Sequence, residues 1–241
     1  MPAQAQMRLA LSLQERYDYG DWIRHGGVDA ACNRVALWCV HGGSLWLRSI
    51  EPAGKTHLLR TLAREHRHIA LLEVPADAPP NKPAWQLVQQ WMMEMEERPM
   101  WMLDVHTGAL AVPVAQALFH CLERARDLQR PLALAWRGEA EALPPELSSR
   151  LLAMEQCLLS PPSDDKTLLR ILHSSAGRLQ WEIRQQALQT MLTYLPRRLD
   201  VLVPALRELE RRSFEQRHRP GPAWLKQQLI CMAVELHPRL N

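Results

Sequence analysis

The sequence predicts an α/β protein in which a parallel five-stranded sheet flanked by helices is followed by a small all-α domain. Three observations carry this prediction. Short apolar runs at residues 45–47, 68–74, 100–105, 132–136 and 157–159 have the length and composition of buried strands. Between them lie stretches with helical periodicity, at 55–66, 84–97, 113–127 and 144–154, each long enough for the crossover that joins parallel neighbours. After Ser160-Pro161-Pro162 the strand signal stops, and four helical stretches follow at 163–176, 180–194, 197–216 and 222–236.

Each boundary has a local cause. Residues 75–83 carry four prolines, which excludes regular structure and leaves a surface loop. Ser163, followed by Asp164 and Asp165, is a helix start: the hydroxyl can cap a free amide, and the carboxylates suit the positive end. The expected organisation is an extended tail over 1–14, an α/β domain over 15–161 and a helical domain over 162–241.

Composition narrows the function classes. The 29 Lys and Arg nearly balance 26 Asp and Glu, so the total charge does not demand a nucleic acid as principal partner. Five scattered cysteines without a C-x-x-C spacing read as reduced thiols rather than a disulfide framework. No apolar run approaches the ~20 residues that span a bilayer, and no cationic segment followed by an apolar stretch opens the chain, so a cytoplasmic protein is expected.

The chemical signal is concentrated in Ser49-Ile50-Glu51-Pro52-Ala53-Gly54-Lys55-Thr56, placed after the first strand and opening the first crossover helix. A phosphate-binding loop requires that position, because backbone amides cradle phosphates there, the Lys reaches the outer ones and the hydroxyl holds magnesium. Gly54, Lys55 and Thr56 keep the second half of G-x-x-x-x-G-K-[ST]. Ser49 replaces the first glycine and Pro52 offers no amide donor, so weakened binding is expected.

The string Gly54-Lys55-Thr56-His57-Leu58-Leu59 resembles the G-K-T-H-L-L of the DnaA and Hda branch of the AAA+ ATPases. Met102-Leu103-Asp104 is similar to that family's Walker B segment, which implies that Asp104, with Thr56, holds Mg if nucleotide binds. Val105 stands where a second carboxylate or amide is usual, and Trp136-Arg137 where a small polar sensor residue is usual. Leu143-Pro144-Pro145-Glu146-Leu147-Ser148-Ser149-Arg150-Leu151 resembles the L-P-D-L-x-S-R-L segment, which implies that Arg150 is an arginine finger acting in a neighbour's ATP site. Ser163-Asp164-Asp165-Lys166 is similar to the start of the family's lid. Pro196 to Leu202 is similar to its sensor-2 helix, with Asp200 where Arg is expected. Arg197 or Arg198 would have to reach from another helical face to replace it.

Two N-terminal features extend the resemblance. Gln6-Met7-Arg8-Leu9-Ala10-Leu11 resembles the peptide by which bacterial proteins bind the sliding clamp. In an extended strand Met7, Leu9 and Leu11 fall on one side, and Gln6 can hydrogen-bond at a groove edge. The same residues also suit a first strand packed on its own domain. Tyr17 to Trp22, with Gly26-Gly27, looks like the segment that approaches adenine in the family, so Tyr19 and Trp22 are candidates for a base platform or for ordinary core aromatics.

The resemblance implies a regulator of replication initiation that binds the clamp and stimulates hydrolysis of DnaA-bound ATP. Val105 cannot polarise water and Asp200 would repel phosphate, so little intrinsic ATPase activity is expected. Weakly held ADP or ATP with Mg, or no nucleotide at all, fits these departures. A nucleotide-independent scaffold that recruits another replication or repair protein to the clamp is the alternative, and a true ATPase with an unorthodox catalytic set is the third reading. The chain ends soon after its last helical stretch, so no DNA-reading helix-turn-helix domain and no specific DNA binding are expected; a homo-oligomer stays open. The ten histidines lack ligand spacing, and Arg207, Arg211, Arg212, Arg217 and Arg219, interleaved with Glu208, Glu210 and Glu215, read as a solvated stripe.

Overall fold

In the computed structural model, residues 22–75, 83–106, 109–138, 140, 143–216 and 220–236 are described. Five strands form one sheet: β1 (Ser44–Arg48), β2 (Ile69–Val74), β3 (Met100–Val105), β4 (Leu132–Trp136) and β5 (Glu155–Leu158). Their order is β2-β3-β4-β1-β5, and all neighbours run parallel. The sheet flanked by helices is therefore as the sequence predicts. The crossovers are α2 (Lys55–Glu65), α3 (Ala84–Met95), α4 (Val112–Asp127) and α5 (Pro145–Leu152).

A helix that the sequence reading does not anticipate, α1 (Asp29–His41), precedes β1. Only Ala31, Val35 and Trp38 of it are buried, whereas Leu37 and Val40 face outward at 49% and 76% exposure. Its apolar residues therefore trace no clean stripe, which hides it from a periodicity test.

Strand alternation builds two apolar layers. Trp46, Trp101, Leu103, Leu134 and Trp136 join α3, α4 and α5 on one face. Leu45, Leu47, Met100, Met102, Ala133 and Ala135 join α1 and α2 on the other. Small alanines on β4 opposite large Trp and Leu keep the two layers filled, as close packing requires. Trp46 and Trp136 stack, with ring centroids 5.9 Å apart. Burial of side chains this large is the main stabilising contribution in the sheet region, at about 25 cal/mol per Å² of apolar surface.

The remaining helices are α6 (Asp165–Arg178), α7 (Gln185–Tyr194), α8 (Leu199–Glu215) and α9 (Pro222–Leu236), and they share a third apolar cluster. Two local expectations are corrected. Asp164, not Ser163, caps α6: its Oδ1 accepts from the Thr167 amide at 2.8 Å, the three-residue reach of an N-cap carboxylate. α7 begins five residues later than expected, because Gln180 takes a positive φ of 55° and breaks the helical path. The five cysteines are free thiols. No helix among the described residues is long and apolar enough to cross a membrane.

Candidate functional site

Parallel pairing brings the ends of β1, β3 and β4 to one edge of the sheet. Arg48 pairs with Trp136 and Asp104 with Ala135, so the loop after β1, the acid of β3 and Arg137 after β4 emerge side by side. Ligands of open α/β sheets bind at such carboxyl ends. Here a cavity of about 540 Å³ opens, walled on one bank by Pro52 to His57, Arg60, Asp104, Val105, His106 and Arg137. The other bank is helical: Ile171, Ser175 and Arg178 of α6 face Leu199, Asp200, Val203 and Arg207 of α8. Trp22, Ile23 and His25 complete the wall.

The loop geometry suits phosphate. Gly54 takes φ +83° and precedes α2, so Lys55 and Thr56 sit in the first turn, where free amides and the positive helix end gather. A Cβ on Gly54 would lie 3.1 Å from the Trp22 ring, so glycine is needed for space as well as for φ. Trp22 thus packs over the loop, and its Nε1 donates to Cys32 Sγ at 3.2 Å.

Lys55 is buried, at 9% exposure, and its ammonium donates to Ser49 Oγ. Ser49, the residue that interrupts the glycine motif, is therefore the internal partner of this lysine. Burial, reinforced by the Arg137 charge and opposed by Asp104, lowers the Lys55 pKa to about 8. Asp104 is 1% exposed, and desolvation raises its pKa against the pull of His106, Thr56 and Arg60. Its Oδ2 is buried without a hydrogen-bond partner among the described residues, 3.6 Å from His106 Nε2. An orphaned carboxylate oxygen beside the Thr56 hydroxyl is the donor set that a magnesium–nucleotide complex needs, so the residues present fit that ligand.

Two departures have visible consequences. Val105 is buried beside Asp104, and its side chain has no polar atom to offer the cavity. Asp200 lines the wall but is held by Arg198, at 2.7 Å, so its charge is compensated rather than bare. Neither Arg197 nor Arg198 lines the cavity; Arg197 pairs with Asp165 at 2.7 Å. Arg207 is a correction: it lines the cavity instead of joining the solvated stripe, because residues 200, 203 and 207 share one side of α8. Arg211 and Arg212 do pair with Glu208, as a stripe should. Arg60, His106, Arg178 and Arg207 are cavity residues that sequence reasoning missed, since only the packing of distant segments collects them.

Arg150 lies elsewhere. It lies in the last turn of α5 and does not line the cavity, and its Nε donates to Glu123 of α4 at 2.5 Å with a side chain 40% exposed. Gln6, Met7, Leu9, Leu11 and Tyr19 lie outside the described residues.

No family model and no curated protein matches the chain. Solved structures do. Domain III of the Thermotoga maritima replication initiation protein DnaA aligns with TM-score 0.66 and 16% identity, over 89% of this chain and 97% of that one. The T. maritima RuvB Holliday junction branch migration motor aligns with TM-score 0.60 and 15% identity, over 92% and 72%. AMPPCP-bound DnaA from Aquifex aeolicus aligns with TM-score 0.55 and 16% identity, over 83% and 66%. With the parallel sheet, the loop after β1 and the helices that follow, these likenesses show that the chain has the P-loop AAA+ fold that DnaA and RuvB share.

Proposed function

We propose that this chain is an Hda-like regulator of replication initiation, which binds the DNA sliding clamp and promotes hydrolysis of DnaA-bound ATP with Arg150. The observation that carries the reading is a division within the molecule. Its own cavity has Val105 where water would need a polar partner, whereas Arg150 stands apart from that cavity, part-exposed and anchored by Glu123. An arginine finger acts in trans and is worth about 10³ to 10⁵ in rate, so a subunit can supply one without hydrolysing ATP itself.

The Glu123 pair suits that task. It holds the guanidinium in a defined pose, yet a part-exposed ion pair is worth only about 0–1 kcal/mol, so exchange of carboxylate for a partner's phosphate costs little. Residues 1–14 serve as the clamp-binding tail through Gln6, Met7, Leu9 and Leu11. Residues 15–161 form the nucleotide-binding-like domain and 162–241 the lid. In this reading Gly54 and Lys55 hold the phosphates of ADP or ATP, Thr56 and Asp104 hold Mg, and Tyr19 and Trp22 approach the base. When bound, the nucleotide supplies structural closure of the two banks rather than chemistry.

The test is a reconstitution of clamp-loaded DNA, ATP-loaded DnaA and this chain, followed by release of phosphate. The wild type should accelerate hydrolysis, and Arg150→Ala should lose about 10³-fold of that stimulation. Replacing Gln6 and Leu9 together by Ala should remove clamp binding. A wild-type chain that binds the clamp but leaves hydrolysis at its basal rate sinks the proposal and points to the scaffold.

A further inference from the structure

His106 stands among oxygens that it does not bond well. It follows Asp104 by two residues, so strand alternation carries both side chains to one face of the sheet, and Glu73, the register partner of Asp104 on β2, reaches the same face. Nδ1 of the ring lies 3.5 Å from Thr56 Oγ1, and Nε2 lies 3.6 Å from Asp104 Oδ2 and 3.7 Å from Glu73 Oε2. These gaps are at or beyond the limit of a hydrogen bond. Donors that share one cation at about 2.1 Å stand roughly 3.0–3.6 Å apart, so Thr56, Asp104 and His106 have the spacing of ligands rather than of bonded partners. Asp104 supports this independently: its side chain is 2% exposed, and its Oδ2 accepts no hydrogen bond from a described residue. Arg60 grips Glu73 through Oε1 at 2.6 Å, which leaves Oε2 turned to the ring as a carboxylate that orients it.

We propose that His106 supplies a ring nitrogen, beside Thr56 and Asp104, to a divalent cation that enters with the nucleotide, and that this nitrogen makes the seat select a first-row transition ion over magnesium. The inference rests on nucleotide retention as read above, and deepens it by naming the class of cation. Magnesium is hard, asks for oxygen ligands in a near-ideal octahedron and gives up water reluctantly. Imidazole suits softer ions, and affinity for a mixed nitrogen and oxygen site rises from manganese through cobalt to nickel. Among the described residues no three His, Cys, Asp or Glu side chains form a metal group, so phosphate oxygens must complete the shell and the cation is held only with the nucleotide.

The experiment is calorimetric titration of the full chain with ADP in magnesium, in cobalt(II) and in EDTA. From wild type to His106→Ala the ratio of cobalt to magnesium affinity should fall at least about tenfold, the least that loss of a partner in the shell costs a metal site. The preference of ADP itself for cobalt remains in the variant, so the change in ratio reports the ring. His106→Asn, which offers an oxygen, should keep magnesium-dependent binding and lose the cobalt advantage, and ADP affinity in EDTA should be equal in all three proteins. With manganese(II) and pyrophosphate, which carries no nitrogen, pulsed electron paramagnetic resonance should show a nitrogen coupling in wild type that His106→Ala loses. An unchanged ratio in His106→Ala overturns the role of His106 alone. So does tighter magnesium–ADP binding by that variant, which would make the ring an obstacle to the cation, and so does an equal loss of ADP affinity in EDTA, which would mark a change of shape. A wild type that binds ADP under none of the three conditions overturns both this seat and nucleotide retention. The stimulation assay reads hydrolysis in the partner's site through Arg150, so its failure is separately visible.

Discussion

Two regions of the molecule are dense in charge, and they are dense in different ways. On α8, Glu208 receives Arg211 at 2.7 Å and Arg212 at 2.6 Å, and Arg211 also reaches Glu215 at 2.6 Å. Every one of these groups finds its opposite within one helical turn, as residues three and four apart do. At the edge of the sheet, and among the described residues, the Lys55 ammonium has a hydroxyl as its hydrogen-bond partner, Arg137 has none and a buried Asp104 oxygen has no donor. The first region is complete as it stands. The second is incomplete in a way that a phosphate and a metal ion would correct, and it is the one that lines a cavity. Density of charge is therefore poor evidence of function; imbalance under burial is better evidence.

The strongest way to break this comparison is to neutralise the buried cation. Lys55→Met keeps the stem's volume and removes the ammonium that burial drives down to about 8. Affinity for ADP should fall about 100-fold, the upper range for a hydrogen bond to a charged group. The unfolding midpoint should stay level or rise, since a desolvated charge leaves with it. A clear drop in stability would place Lys55 among the structural ion pairs and erase the contrast.

Much of the sheet region was legible because buried strands read as apolar runs, and β1 to β4 fall where residues 45–47, 68–74, 100–105 and 132–136 place them, to within a residue at each end. The phosphate loop was legible for a related reason: Gly54, Lys55 and Thr56 act through local backbone geometry, so neighbours in sequence carry the whole signal. The cavity's other cations were not. Arg178 and Arg207 come from α6 and α8, and nothing in the spacing of 178 and 207 announces a common site. Arg207 also hides among the α8 charges, although 207 points to the cavity while 211 pairs along the helix. α1 stayed hidden because its outward Leu37 and Val40 blur the stripe made by Val35 and Trp38.

A smaller effect is expected where shape rather than charge prepares the site. Gly54→Ala puts a methyl 3.1 Å from the Trp22 ring at a backbone φ of +83°. Residues other than glycine pay about 1 kcal/mol for such a conformation. The Trp22 ring must also shift. Thermal unfolding should show the loss, and ADP affinity should fall with it. Unchanged stability and affinity would mean that the loop adapts freely and that Trp22 does not brace it.

The smallest effect belongs to the matched region. Arg211, and then Arg212, hold the Glu208 carboxyl down to about 2, against an ordinary 4.5. A carboxylate with a lowered folded pKa adds stability that is present above about 4.5 and is lost as pH falls toward about 2. The side chains are partly exposed, so solvent screens the pairs and their worth is about 0.3–0.5 kcal/mol each. Glu208→Gln should therefore be slightly less stable than wild type at pH 7, the reverse of the Lys55→Met result. The two denaturation curves should converge as pH drops through that window. A difference that persists at pH 2 would assign the effect to packing of the Glu208 stem, and added salt should shrink it only if the charges are its source.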